Sequence, residues 1–329
     1  MGNRSSQRTK DNTSLFKVDI SSNDQSDISN ILYDDSNSCL LAVQFNNKHS
    51  ITVLKYSCSK DEWTPCHTIP MKGLYRTAIV KNFLCFHDWL QGVRICCYDI
   101  TTRAIRTVMP LKEDQPYWSC HCLAEFQDCL YLIGADVEDD RRVYCWNPTN
   151  DVVTLIPLLI TGRTRAACLK HGGYLYVVGG QVGSIGSFRD TNSVERFNPR
   201  KNRWELCAPM EVARGVLALA SAGYYIYALG GDCRDIPTNI VERYDTRDNQ
   251  WTQMAPLLVP KCFAGTVYFN SRLMACGSFG TSEDCSIIEE FDETTNKWCR
   301  KNNMPTEGPF SYVLATPEWT RQLESLDDV

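Results

Sequence analysis

The chain has 329 residues, a formal net charge of −5 and 43% apolar side chains. That balance is too polar for a membrane-embedded chain and too apolar for a disordered one, and no apolar run approaches the ~18–20 residues of a spanning helix. The mild acidity, with no block of Lys and Arg, argues against nucleic acid as a partner.

The chain opens on a polar stretch. Met1 to Ile20 lacks the apolar core of a secretory signal. Gly2, followed at a distance by Ser6, fits the acceptor pattern for N-myristoylation. Arg4, Arg8 and Lys10 would add attraction to anionic lipid, which amounts to a weak, reversible membrane tether; the competing reading is an accidental match. Thr13 to Asn30 is rich in Ser, Asp and Asn and is expected to be flexible. The 17 cysteines are an odd number, and without a signal they read as free thiols. Cys39, Cys85, Cys145 and Cys276 fall in predicted strands as small hydrophobes. Neither Cys96-Cys97 nor Cys120 with Cys122 has metal-ligand spacing, so no metal and no other cofactor is expected.

Beyond residue 30 the chain repeats. An apolar, β-rich run leads to a Gly-Gly slot, then a loop, then a second run that ends on an aromatic, with a bulky residue seven positions later. The two clearest copies are Tyr174 to Gly180 with Phe197 and Trp204, and Tyr225 to Gly231 with Tyr244 and Trp251. The leading aromatics are Tyr56, Tyr98, Trp146, Phe197, Tyr244 and Phe291, and their followers are Trp63, Ile105, Val153, Trp204, Trp251 and Trp298. The Gly-Gly slot reads Gln44-Phe45, Phe86-His87, Gly134-Ala135, Gly179-Gly180, Gly230-Gly231 and Gly277-Ser278. Segments such as Asn198 to Asn202 and Asp245 to Asn249 read as hairpin turns. Each unit is therefore a four-stranded antiparallel sheet. Such a sheet buries both faces only by stacking against copies of itself around an axis, which predicts an all-β, six-bladed propeller. The aromatics fill the wedges between blades, and the glycines permit close backbone approach.

These residues resemble the kelch repeat, most specifically Gly179-Gly180 with Val194 to Pro199 and Trp204, and Gly230-Gly231 with Val241 to Asp245 and Trp251. The resemblance runs from about Leu32 to Leu314, and kelch propellers usually have six blades. Phe310 to Ala315 matches the first strand of a unit and is expected to join blade 1 and close the ring. Ile28 to Tyr33 competes as the first strand of that blade. The resulting division is a flexible segment over 1–30, the propeller over 31–316 and an acidic tail over 317–329.

The style is that of the propeller half of Kelch-like proteins, which carry BTB and BACK domains ahead of it and deliver bound proteins to Cullin-3 ubiquitin ligases. The resemblance implies a substrate-recognition propeller in the cytoplasm. Cullin-3 itself is a partner only if a BTB-containing longer form or another protein supplies the link, because the first 30 residues hold neither domain. The alternative is a scaffold for actin or other cytoskeletal structures.

In such propellers one face is built from the loops after the Gly-Gly strand and the loops that enter each first strand. On this face the candidate partner-binding residues are Arg76, Trp89, Trp118, Arg163, Arg165, Arg189, Arg214, Arg234, Lys261, Phe263 and Tyr312. Arg163, Arg214 and Lys261 share one register position. Related propellers use basic residues there to hold acidic peptides, so an acidic or aromatic segment is the expected ligand. The competing reading is that these cations brace loops internally. No GxSxG, HExxH or P-loop signature is present, and His49, His67, His87, His121 and His171 lack a shared spacing, so catalysis is not expected. His171, in a turn before Gly172-Gly173, reads as solvated.

Overall fold

The computed structural model describes residues 39–46, 50–57, 60, 62–69, 77–88, 94–108, 122–134, 141–184, 186–269, 271–277, 287–301 and 310–315. Among them every regular element is a strand, and the strands form six four-stranded antiparallel sheets. From first to fourth strand, blade 1 is β28 (Phe310–Ala315), β1 (Cys39–Asn46), β2 (Ser50–Ser57) and β3 (Glu62–Ile69). Blade 2 is β4 (Thr77–Val80), β5 (Phe83–Asp88), β6 (Arg94–Asp99) and β7 (Ile105–Val108). Blade 3 is β8 (Cys122–Phe126), β9 (Cys129–Ile133), β10 (Val143–Asn147) and β11 (Val152–Leu155). Blade 4 is β12 (Ala167–His171), β13 (Tyr174–Val178), β16 (Val194–Asn198) and β17 (Arg203–Cys207), with a hairpin of β14 (Gln181–Val182) and β15 (Arg189–Asp190) between its middle strands. Blade 5 is β18 (Ala218–Ala222), β19 (Tyr225–Leu229), β22 (Val241–Asp245) and β23 (Gln250–Gln253), with the hairpin β20 (Asp232–Cys233) and β21 (Ile236–Pro237). Blade 6 is β24 (Gly265–Phe269), β25 (Arg272–Cys276), β26 (Glu289–Asp292) and β27 (Lys297–Arg300).

The first strands touch in the cyclic order β28, β4, β8, β12, β18, β24 and back to β28, which places them around a common axis. The ring closes where β28 pairs antiparallel with β1, in a register from Cys39 opposite Ala315 to Gln44 opposite Phe310. The C-terminal strand is thus the first strand of blade 1; Ile28 to Tyr33 lies outside the described residues.

The seven-residue interval has a simple origin. It is the hairpin between the third and fourth strands, and its two ends face each other in register in all six blades: Tyr56 with Trp63, Tyr98 with Ile105, Trp146 with Val153, Phe197 with Trp204, Tyr244 with Trp251, and Phe291 with Trp298. Apolar clusters fill the spaces between neighbouring blades, for example Leu175, Val177, Phe197 and Trp204 against Ile133 and Val143. The indole N–H groups add a directional tie. Trp204, Trp251 and Trp298 donate to the carbonyls of Pro157, Ala208 and Ala255, each just past the fourth strand of the preceding blade, at 2.8, 2.9 and 2.9 Å. A buried indole needs such a partner, so the same residue supplies both wedge and inter-blade bond.

His171 corrects the expectation of a solvated turn residue. It ends β12, is buried, and sets its ring edge-on to Tyr176 at 6.3 Å. Burial pushes its pKa down to about 4. The unfolded chain therefore binds a proton that the fold refuses between about pH 6.5 and pH 4. Stability should fall as pH drops through that window, by about 2 kcal/mol at pH 5. Thermal melting at pH 7 and pH 5 should show a smaller acid loss in His171→Gln than in the parent; equal losses would remove His171 as the cause.

Candidate functional site: the loop face

Because strands alternate in direction, the loop between second and third strands and the connection from a fourth strand to the next first strand emerge on the same end of the ring. Three of those connections carry a cation four positions ahead of a first strand: Arg163 before β12, Arg214 before β18 and Lys261 before β24.

The expectation that these three form an exposed basic grip is corrected by the structure. Their relative exposures are 3%, 0% and 0%. Each turns into its own blade and meets a glutamate at the start of the third strand, where both side chains are fully buried: Arg163 with Glu195 at 2.5 Å, Arg214 with Glu242 at 3.2 Å, and Lys261 with Glu289 at 3.4 Å. The remaining capacity goes to backbone. Arg163 donates to Gly179 and Ser193 carbonyls, Arg214 to those of Val212, Ala228 and Gly230, and Lys261 to that of Ile287. The glutamates accept backbone N–H from Ile160 and Thr161, from Val212, and from Leu258 and Val259. Burial draws the Arg163 and Arg214 pKa values down, opposed by Glu195 and Glu242. A buried charge persists only when paired and hydrogen-bonded, so these residues are braces for the loop face and not its contact surface. The three glutamates were missed by sequence reasoning, although they recur at every strong repeat, two positions before the leading aromatic.

The same cation-bearing residues tie blades together through their own backbone. Gly180 N–H donates to Arg214 O at 3.0 Å, and Gly231 N–H to Lys261 O at 2.8 Å. Gly179, Gly180, Gly230 and Gly231 all have positive φ. A Cβ on Gly179 would stand 2.5 Å from Arg214 O, and one on Gly230 would run into Lys261 O. The Gly-Gly slot therefore serves close approach between blades, as the sequence pattern predicted.

Two positions beyond each cation lies a second ring of contacts. Val216 N–H donates to Arg165 O at 2.9 Å and Phe263 N–H to Val216 O at 3.2 Å, and all three residues are left-handed, with φ of 53°, 52° and 53°. For a buried, β-branched Val216 that conformation is an outlier; the ladder on both sides holds it.

The remaining predicted residues divide. Arg165 is half-buried and points its guanidinium across to blade 5, 3.1 Å from Asp235 and 3.8 Å from Asp232. The two hairpins are joined as well, because Arg234 N–H donates to Asp190 at 2.6 Å and Gln181 Nε2 donates to the same carboxylate at 3.0 Å. Arg189 and Arg234 are exposed, as is Ile236 at 68%, and Phe263 is half-buried. Arg189 and Arg234 make no ion pair with the described residues. Arg76, Trp89, Trp118 and Gly2 lie outside the described residues. Tyr312 is described only as a position of β28, opposite Ala42. The structure thus gathers Arg165, Arg189 and Arg234 at one corner of the loop face, between blades 4 and 5, and adds Asp190, Asp232, Asp235 and Ile236, which sequence reasoning did not single out. Among the described residues no cluster of His, Cys, Asp and Glu has the geometry of a metal site.

Residues 162–211 and 217–258 match the family model of the Kelch motif. The chain is similar to Kelch domain-containing protein 7A of Mus musculus, 25% identical over 146 residues. That match takes in 43% of this chain and 18% of the length of the mouse protein. Among solved structures it is similar to the one titled "Structure of YjhT", with a TM-score of 0.60 at 14% identity over 72% of this chain and 86% of the other, a likeness of fold alone.

Proposed function

We propose that this kelch-repeat β-propeller is a protein-recognition module that seats a partner segment on the loop face between blades 4 and 5. The observation that supports this reading is the preorganised corner described above. Its two hairpins are fixed to each other and to the ring by backbone and carboxylate bonds, while Arg189, Arg234 and Ile236 remain turned to solvent. Rigid backbone around exposed guanidinium and aliphatic groups lowers the ordering cost of association. Two guanidinium groups fork onto carboxylates of an acidic segment, and Ile236 offers an apolar anchor. Binding, rather than catalysis, is the role of this surface.

Charge reversal at both exposed positions, Arg189→Glu with Arg234→Glu, should leave the melting temperature nearly unchanged, since solvated surface charges contribute little to stability. Quantitative affinity purification from cells should then lose the partners that the parent chain retains. An unchanged partner set would place recognition elsewhere on the molecule.

A role as substrate receptor for a Cullin-3 ubiquitin ligase extends this reading and requires BTB and BACK elements, supplied by a longer form of the chain or by a partner. The setting is the cytoplasm, with a reversible membrane tether if Gly2 is acylated; mass spectrometry of the mature N-terminus decides the latter.

A further inference from the structure

We infer that Asp232 forms the floor of a subsite that accepts a lysine ammonium from the bound partner segment, an inference that rests on the loop-face reading above and adds the chemistry of one ligand residue. Asp232 is only 7% exposed, and its Oδ1 is buried with no hydrogen-bond donor. A buried carboxylate oxygen without a donor is costly; Glu242 Oε2 shares that state, but its carboxylate has Arg214 at 3.2 Å. The nearest cation, Arg165, stands 3.8 Å from Oδ2 and is engaged at 3.1 Å by Asp235.

The repeat itself shows what is missing. Gln181 in blade 4 and Asp232 in blade 5 occupy one position, as the bridges Thr164–Gln181 and Gly215–Asp232 demonstrate. The side chain of Gln181 is answered by Asp190, which pairs with it across the hairpin. Across from Asp232 stands Pro237, which has no polar side chain to offer. Blade 5 has placed a charge where blade 4 has an amide and has withdrawn the internal partner.

Space is withdrawn beside it too. Gly215 holds the position of Thr164, and its φ is not left-handed, so its backbone does not require glycine. A Cβ there would sit 3.2 Å from Asp232 Oδ1. Glycine thus keeps a methyl group, which would be closer than an ordinary contact, from pressing on the orphan oxygen. So confined a place suits a compact ammonium better than a broad, planar guanidinium. The surroundings favour a cation. Burial raises the Asp232 pKa; Arg165 opposes this, and Asp190 and Asp235 reinforce it. A ligand ammonium would offset the repulsion from both neighbouring carboxylates.

The test begins with peptides selected from a random display library on the full chain. Those that occupy the loop face are recognised by loss of binding to Arg189→Glu/Arg234→Glu. They should share a lysine whose replacement by norleucine weakens binding to the parent chain by about tenfold or more, and changes binding to Asp232→Asn hardly at all. Gly215→Ala, which crowds the oxygen but keeps the charge, should weaken the lysine peptide by a similar factor. Thermal melting confirms that both variants fold. Loop-face peptides that lose no more on the parent than on Asp232→Asn would overturn the subsite and leave the loop-face reading intact, with Oδ1 then answered by a buried water. Failure to select any peptide sensitive to the two charge reversals would overturn both.

Discussion

Arg214→Met should lower the unfolding free energy by about 3–5 kcal/mol, and Glu242→Leu by a similar amount, while the double substitution should cost about 2 kcal/mol or more less than their sum. Each single change strands the opposite charge in a site of zero exposure. Methionine also deprives the carbonyls of Val212, Ala228 and Gly230 of their donor, and leucine deprives the Val212 N–H of its acceptor. Those backbone losses persist in the double variant, so it should not return to parental stability. What it should recover is the charge term. The chain already contains that comparison. At the glutamate position blades 1, 2 and 3 carry Leu54, Cys96 and Tyr144, and at the sequence position in register with the cation they carry Glu307, Leu74 and Trp118. Cation and acid are present together in blades 4 to 6 and absent together in blades 1 to 3, as expected if either alone is a liability. Equilibrium denaturant unfolding of the four proteins, with the denaturant slope checked for constancy, measures the coupling. Simple additivity, or single losses below about 1 kcal/mol, would show the pair to be far less buried than its geometry indicates.

This pairing explains why the sequence misled at the site after succeeding with the fold. Hydrophobic wedges announce themselves: Phe197 and Trp204, or Phe291 and Trp298, repeat their spacing because hairpin geometry fixes it, and Gly179-Gly180 returns as Gly230-Gly231 because a Cβ at any of the four would run into neighbouring backbone. A charged residue in a loop carries no such mark. Arg163 before β12 reads like any solvated arginine until Glu195 is recognised as its counterpart, and that acid lies 32 positions downstream in blade 4 but 28 in blades 5 and 6. The longer hairpin of blade 4 conceals the correspondence. The signal was nonetheless present, in the simultaneous loss of both residues from the first three units. Asp232 was less accessible still. Its meaning depends on Pro237 standing opposite and on Gly215 beside it, two neighbours that only the strand register brings together.

Gly230→Ala should destabilise the protein by about 3 kcal/mol or more, whereas Gly223→Ala should cost about 1 kcal/mol, although both glycines have nearly the same left-handed φ, 57° and 54°. The contrast separates two reasons for glycine that a sequence motif confounds. At Gly223, in the turn between β18 and β19, a Cβ would meet nothing within 4 Å, so alanine pays only for the conformation. At Gly230 the same Cβ would drive into the carbonyl of Lys261 and approach its carbonyl carbon to 3.2 Å. That carbonyl accepts the Gly231 N–H from the neighbouring blade. Relief requires the two blades to part at this point. Moving the Lys261 backbone also displaces its ammonium, which lies 3.0 Å from Ile287 O and 3.4 Å from Glu289 with no solvent to take over. The cost at Gly230 therefore includes an inter-blade hydrogen bond and part of a buried ion pair, on top of the strain that Gly223 reports alone. Comparable losses at the two sites would mean that the close spacing between blades 5 and 6 tolerates a methyl group, and that the Gly-Gly slot is a turn signal rather than the joint between blades.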